Sequence, residues 1–145
     1  MQGNRWPWLA KDLPNLRHLE LFGVRAGVNG QWPAAMADCT KLLRLQLTGS
    51  SAAPIPGGRY LQTLQELQWL CDPSAPVADA LSAATALREL ELTIDPERVA
   101  ACSVLDALPN LRLLKFDSRN RHDEYSHAAA LLELRRRLRA EVRYW

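Results

Sequence analysis

One nine-residue phrase recurs five times and constrains the fold more than any other feature of the chain. Its copies are Leu13–Leu21 (LPNLRHLEL), Cys39–Leu47 (CTKLLRLQL), Leu61–Trp69 (LQTLQELQW), Ala84–Leu92 (ATALRELEL) and Leu108–Phe116 (LPNLRLLKF). Each reads apolar-x-x-Leu-x-x-Leu-x-apolar. The seventh-position leucines, Leu19, Leu45, Leu67, Leu90 and Leu114, follow one another at steps of 26, 22, 23 and 24 residues. Self-similarity at such a period marks an array of equivalent supersecondary units, each too small to bury its own apolar face. Side chains alternate along an extended strand, so the last two apolar residues of each phrase share one side and the residues around them share the other. A sixth, degenerate copy is expected at the end. There Leu134, Leu138, Val142 and Tyr144 supply the anchors, with Val142 a further 28 residues beyond Leu114.

The segments between phrases favour helices. Pro33–Asp38 is short. Pro76–Ala86 and Pro96–Leu108 carry apolar residues at spacings of three and four. Asp95, Pro96 and Glu97 form a helix start: a capping residue, a proline in the first turn, and an acid near the positive end of the helix dipole. Residues 124–139 give the strongest helical pattern, with Leu131, Leu134 and Leu138 on one face and Arg135, Arg136, Arg137 and Arg139 around the rest. Leu47 to Leu61 is rich in Gly, Ser, Ala and Pro and reads as a loop.

The phrase resembles the signature of the leucine-rich-repeat family, over residues 13 to about 117. The resemblance implies an α/β solenoid of about five to six repeats, with a parallel sheet on the concave face and helices and loops on the convex face. It divides the chain into 1–12, the end of a preceding repeat or a makeshift cap; 13–123, five repeats; and 124–145, a closing helix and last strand. The family's Asn/Cys position is not kept: Val24, Ser50, Asp72, Asp95 and Arg119 stand there. This chain is therefore expected to be an irregular member. Trp6 and Trp8 either cover the first repeat or end an earlier one, in which case the chain is the C-terminal part of a longer array.

Family members commonly bind protein on the concave face, and the alternation nominates the residues. They are His18, Arg44, Glu66 and Glu89 in a first column; Glu20, Gln46, Gln68, Glu91 and Lys115 in a second; and Phe22, Leu70 and Asp117 in a third. Leu113, Glu141, Arg143, Thr48, Thr93 and Trp145 extend these columns. The face carries six acids and three bases, in a chain whose net charge is +2. Phe22 and Leu70 are expected to be exposed apolar anchors. Trp69 occupies a strand-leucine position and is expected in the core, with a local bulge. The resemblance implies a protein-interaction module that is monomeric or part of a longer chain, with F-box-type adaptors and immune-receptor-like arrays as analogues. The alternative is a structural fragment of a longer array with no binding of its own.

Other chemistries find little support. The modest net charge and the acidic face argue against a nucleic-acid partner. No apolar run reaches roughly 18 residues, so no membrane span is expected. Three widely separated cysteines and no secretory leader point to an intracellular, cytoplasmic protein. Cys39 and Cys102 are expected to be buried structural thiols, and Cys71 is unassigned. No metal-ligand spacing, phosphate loop or nucleophile elbow occurs, so no cofactor, metal or catalytic residue is expected. His122 and His127 flank a polar stretch whose spacing of five suits no helical ligand pair. Glu89 and Glu91 form a carboxylate pair, but on an open sheet without a water-excluding cleft. Arg135–Arg139 reads either as a nuclear-import signal or as cations at a helix C-terminus.

Overall fold

The computed structural model describes residues 15–22, 39–49, 55, 57–70, 72, 76–117 and 124–144, apart from the side chains of Phe22, Glu124 and Tyr125. Six strands make one sheet: β1 (His18–Phe22), β2 (Arg44–Thr48), β3 (Glu66–Leu70), β4 (Glu89–Leu92), β5 (Leu113–Phe116) and β6 (Glu141–Tyr144). All neighbours are parallel, and the order in space is the order in sequence. Parallel neighbours need a crossover behind the sheet. The described crossovers contain α1 (Tyr60–Thr63), α2 (Pro96–Ala100), α3 (Ala128–Arg137) and three 3-10 turns, Asp79–Ala83, Val104–Ala107 and Glu124–His127.

The nine-residue phrases lie in register. Leu19, Leu45, Leu67, Leu90, Leu114 and Val142 form one cross-strand row. Leu21, Leu47, Trp69, Leu92, Phe116 and Tyr144 form the next. The degenerate last copy thus takes its place with Val142 beside Leu114. Both rows face the core, joined by Leu42, Leu64, Leu87 and Leu111 from below the strands. Leu61, Leu81, Val99, Leu105, Leu131 and Leu134 close it from the crossovers.

Without an asparagine ladder, the entries to β2 through β6 are tied together chiefly by backbone hydrogen bonds. Leu43 and Arg44 both donate to the Arg17 carbonyl, at 2.7 and 3.0 Å. Gln65 and Glu66 share the Leu43 carbonyl, Arg88 and Glu89 that of Gln65, and Arg112 and Leu113 that of Arg88. Glu141 then donates to Arg112. Each two-donor carbonyl satisfies N–H groups that would otherwise be orphaned at a strand end.

Several local expectations are corrected. Pro76–Ala86 contains only the 3-10 turn Asp79–Ala83, and Pro96–Leu108 breaks after Ala100. The reason is span. A 3-10 turn rises about 2.0 Å per residue against 1.5 Å for an α-helix, so it returns the chain across the sheet with fewer residues. Asp95 does stand at the N-cap of α2 with Pro96 following, but its side chain makes no capping bond. Trp69 is fully buried, and the β2–β3–β4 register runs through it without a bulge. Residues 60–63, which begin at the end of the expected loop, form α1, which Thr63 Oγ1 pins by donating to the carbonyls of Leu42 and Tyr60. The expected helix Pro33–Asp38 lies outside the described residues.

Tyr60 is buried, and burial, followed by the nearby Cys39, pushes its hydroxyl well above the usual tyrosine range. A phenol whose folded pKa is raised contributes stability in full below the unfolded value, and that stability is lost as pH climbs above it. Urea titrations should therefore show stability falling above about pH 10. Tyr60→Phe should flatten that alkaline limb, and an unchanged slope would refute the assignment.

Candidate sheet-face binding site

The candidate surface is the face of the sheet turned away from the core. A shallow depression of about 160 Å³ runs across β1 to β5 on this face. Nine of the residues nominated from the alternation line it: His18, Glu20, Arg44, Gln46, Glu66, Gln68, Glu89, Glu91 and Lys115. The parallel register brings them together from residues 18 to 115 of the chain. His18, Arg44, Glu66, Glu89, Leu113 and Glu141 align in one row, and Glu20, Gln46, Gln68, Glu91, Lys115 and Arg143 in the next.

The third column behaves differently. Leu70 is 9% exposed and Thr93 6%, while Thr48 and Asp117 are half-buried. Leu70 is therefore not the exposed apolar anchor expected of it. The chain turns inward at this level: Gly49 N–H donates to the Leu70 carbonyl at 3.0 Å, and Asp117 N–H to that of Leu92 at 2.9 Å. Strict alternation ceases to govern side-chain direction once a strand ends. Phe22 ends β1, its side chain is not among those described, and Trp145 lies outside the described residues.

Charge on the face is distributed unevenly. Arg44 Nε meets Glu66 Oε2 at 2.7 Å, with 60% and 39% of the two side chains exposed. An ion pair so wet contributes little to stability. At the other end Arg143 grips Glu141 through two bonds, 2.8 and 3.2 Å. Its pKa is raised by the hydrogen bond to Glu141, then by the charge of Glu141, with a smaller contribution from Glu89. Between these pairs stand Glu89 and Glu91. Parallel strands lie about 4.8 Å apart, so in-register Glu66 and Glu89 are close like charges. Glu89 and Glu91, two residues along one strand, are separated by about 6–7 Å. Lys115 is in register with Glu91, yet among the described residues no ion pair joins them or involves Glu20. Cross-strand like charges cost stability, so this surface carries a standing attraction for cationic groups. Gln46 and Gln68 add amide donors and acceptors between the acids.

Other candidate groups fall into structural roles. His127 Nδ1 lies 2.6 Å from Glu97 Oε1, and its ring packs 5.5 Å from that of Tyr144, so it helps dock the last strand. His122 and Cys71 lie outside the described residues. Cys39 is buried, whereas Cys102 is half-buried, contrary to expectation, with its thiol donating to the Val99 carbonyl at 3.4 Å. In the arginine run, Arg137 binds Asp106 and two carbonyls, Arg136 binds Glu133, and Arg135 donates to the Val142 carbonyl. Sequence reasoning missed the Arg137 role because its partners stand 31 to 37 residues away. Among the described residues no cluster of three or more His, Cys, Asp or Glu is placed to hold a metal, and no helix is long and apolar enough to cross a membrane. Comparison with protein-family models, curated proteins and solved structures finds no match.

Proposed function

We propose that this chain is an irregular leucine-rich-repeat solenoid that acts as a protein-interaction module, receiving a lysine- or arginine-bearing segment of a partner protein on its sheet face. The observation that carries the reading is the acidic excess at the centre of that face, where Glu89 and Glu91 stand between the Arg44–Glu66 and Arg143–Glu141 pairs and Lys115 is in register beside Glu91. Like charges brought together by strand register cost stability in the free protein, and a basic partner relieves that cost. The face is also broad and built on rigid strands, which suits an extended polypeptide better than a small molecule. The depression is only partly enclosed, which disfavours catalysis by the same acids, because acid–base chemistry on a carboxylate pair gains from excluded water.

The test is a charge reversal. Glu20→Lys, Glu89→Lys and Glu91→Lys together change exposed or half-buried side chains and should leave the thermal midpoint within a few degrees of the parent protein. Proteins captured by the parent chain at low salt should be lost from the triple variant, and their capture should weaken steeply as salt rises. A partner retained equally by both chains would place binding elsewhere.

A further inference from the structure

The fourth residue of each phrase is a leucine: Leu16, Leu42, Leu64, Leu87 and Leu111. They form a row of the core below the strands, in which Leu42, Leu64 and Leu87 are 0% exposed. The sixth copy breaks this row. Val142 pairs in register with Leu114, so Arg139, three residues before it, stands level with Leu111 where a sixth leucine belongs. Arg139 is exposed, and Leu111 is left 7% exposed. A cavity of about 320 Å³ opens at this point, at the seam between the fifth and last units. Its apolar wall is Leu105, Leu108, Leu111 and Leu138. Leu105 comes from the 3-10 turn Val104–Ala107, and Leu138 from the C-cap of α3. Three charged side chains also line it: Asp106, Arg137 and Arg139. Asp106 and Arg137 neutralise each other at 2.8 Å. Among the described residues Arg139 has no ion pair, so the cavity carries one uncompensated cation.

We propose that this cavity binds a small amphipathic carboxylate of the medium-chain fatty acid kind, its hydrocarbon body on the four leucines and its carboxylate on the Arg139 guanidinium. Small-molecule sites are concave, occupy roughly 300–1,000 Å³, and combine apolar walls with a few polar groups. This cavity has that size and make-up. Burial of the hydrocarbon supplies the drive, in the place of the leucine that the last copy lacks. The planar guanidinium receives both carboxylate oxygens side by side. A monoanion matches the single uncompensated cation. A dianionic phosphate head would hold excess negative charge beside Asp106 and is disfavoured. Both walls of the cavity belong to units of this chain, Leu105 to Leu111 on one side and Arg137 to Ala140 on the other. It shares no residue with the depression on the sheet face, so it is independent of what that face binds.

Methyl NMR on the 145-residue chain, titrated with sodium octanoate, tests the proposal. The methyl signals of Leu105, Leu111 and Leu138 should shift saturably, with a Kd of about 0.1–1 mM for so small a ligand. Octanol keeps the body without the charge, and octyl phosphate keeps the body with a dianionic head. Each should bind at least about fivefold more weakly than octanoate. Arg139→Gln should lower octanoate affinity about tenfold and leave octanol affinity unchanged, a split that a merely structural role for Arg139 would not produce. Arg139→Leu completes the leucine row. It should abolish octanoate binding and raise the thermal midpoint by a few degrees, as cavity filling does. The proposal is overturned by no saturable shift up to about 10 mM octanoate, or by unsaturating shifts at leucines throughout the core. Octanol or octyl phosphate bound as tightly as octanoate, or octanoate bound equally by Arg139→Gln, would overturn it as well.

Discussion

Trp69→Ala should remove about 3–5 kcal/mol of stability, the expected cost of truncating a buried aromatic. Trp69 is 0% exposed, the largest fully buried side chain described, and stands between Leu47 and Leu92 in the second core row. Domains of this kind hold only about 5–15 kcal/mol in total, so the variant should be largely unfolded at low urea. The indole has a second property: its Nε1–H is buried with no acceptor among the described residues. An orphaned buried donor costs about 1–3 kcal/mol. Trp69→Phe removes that penalty while keeping one aromatic ring, so it should lose far less stability than Trp69→Leu, although leucine is the residue three of the other four phrases use here. Urea midpoints for the three variants decide the matter. If phenylalanine proved as damaging as alanine, the volume of the indole alone would govern the site.

The order of the fold was legible because one constraint sets both sequence and structure. A parallel sheet built from equivalent units needs the same two apolar side chains turned inward at the same level of every strand. The Leu-x-Leu step records that need even where the second residue becomes Trp69 or Phe116. The face between the leucines follows from the same alternation, which is why nine nominated residues meet in one depression. Legibility failed where alternation stops. Leu70 and Thr93 sit at strand ends, where the chain bends into the crossover and buries them. It failed again in the crossovers. Apolar spacings of three and four suit a 3-10 turn as well as an α-helix, and the choice depends on the distance to be covered, which no local pattern contains. The expected exposure of Leu70 and the expected helix over Pro96–Leu108 were lost to these two effects.

Arg137→Ala should cost about 2–3 kcal/mol and loosen the last unit selectively. The guanidinium joins three elements. Nε meets Asp106 Oδ1 at 2.8 Å, and the two terminal nitrogens donate to the carbonyls of Ala100 and Cys102, each at 2.9 Å. Those carbonyls belong to the end of α2 and the turn after it, where helix geometry leaves acceptors without partners. Arg137 itself ends α3, where a cation is favoured by the helix dipole. It therefore fastens the closing helix to the preceding crossover at the point where Pro96–Leu108 breaks. A quarter of its side chain is exposed, and solvent screening keeps the effect toward the lower figure. Arg137→Lys should recover only part of the loss, since an ammonium cannot span three acceptors held by a planar fork. At this chain length the alanine variant should melt roughly 5–10 °C lower. Hydrogen exchange should rise first in α3 and β6, while β2 to β4 remain protected. A uniform rise across all six strands would mean that the last unit does not open on its own and that Arg137 contributes to global stability alone.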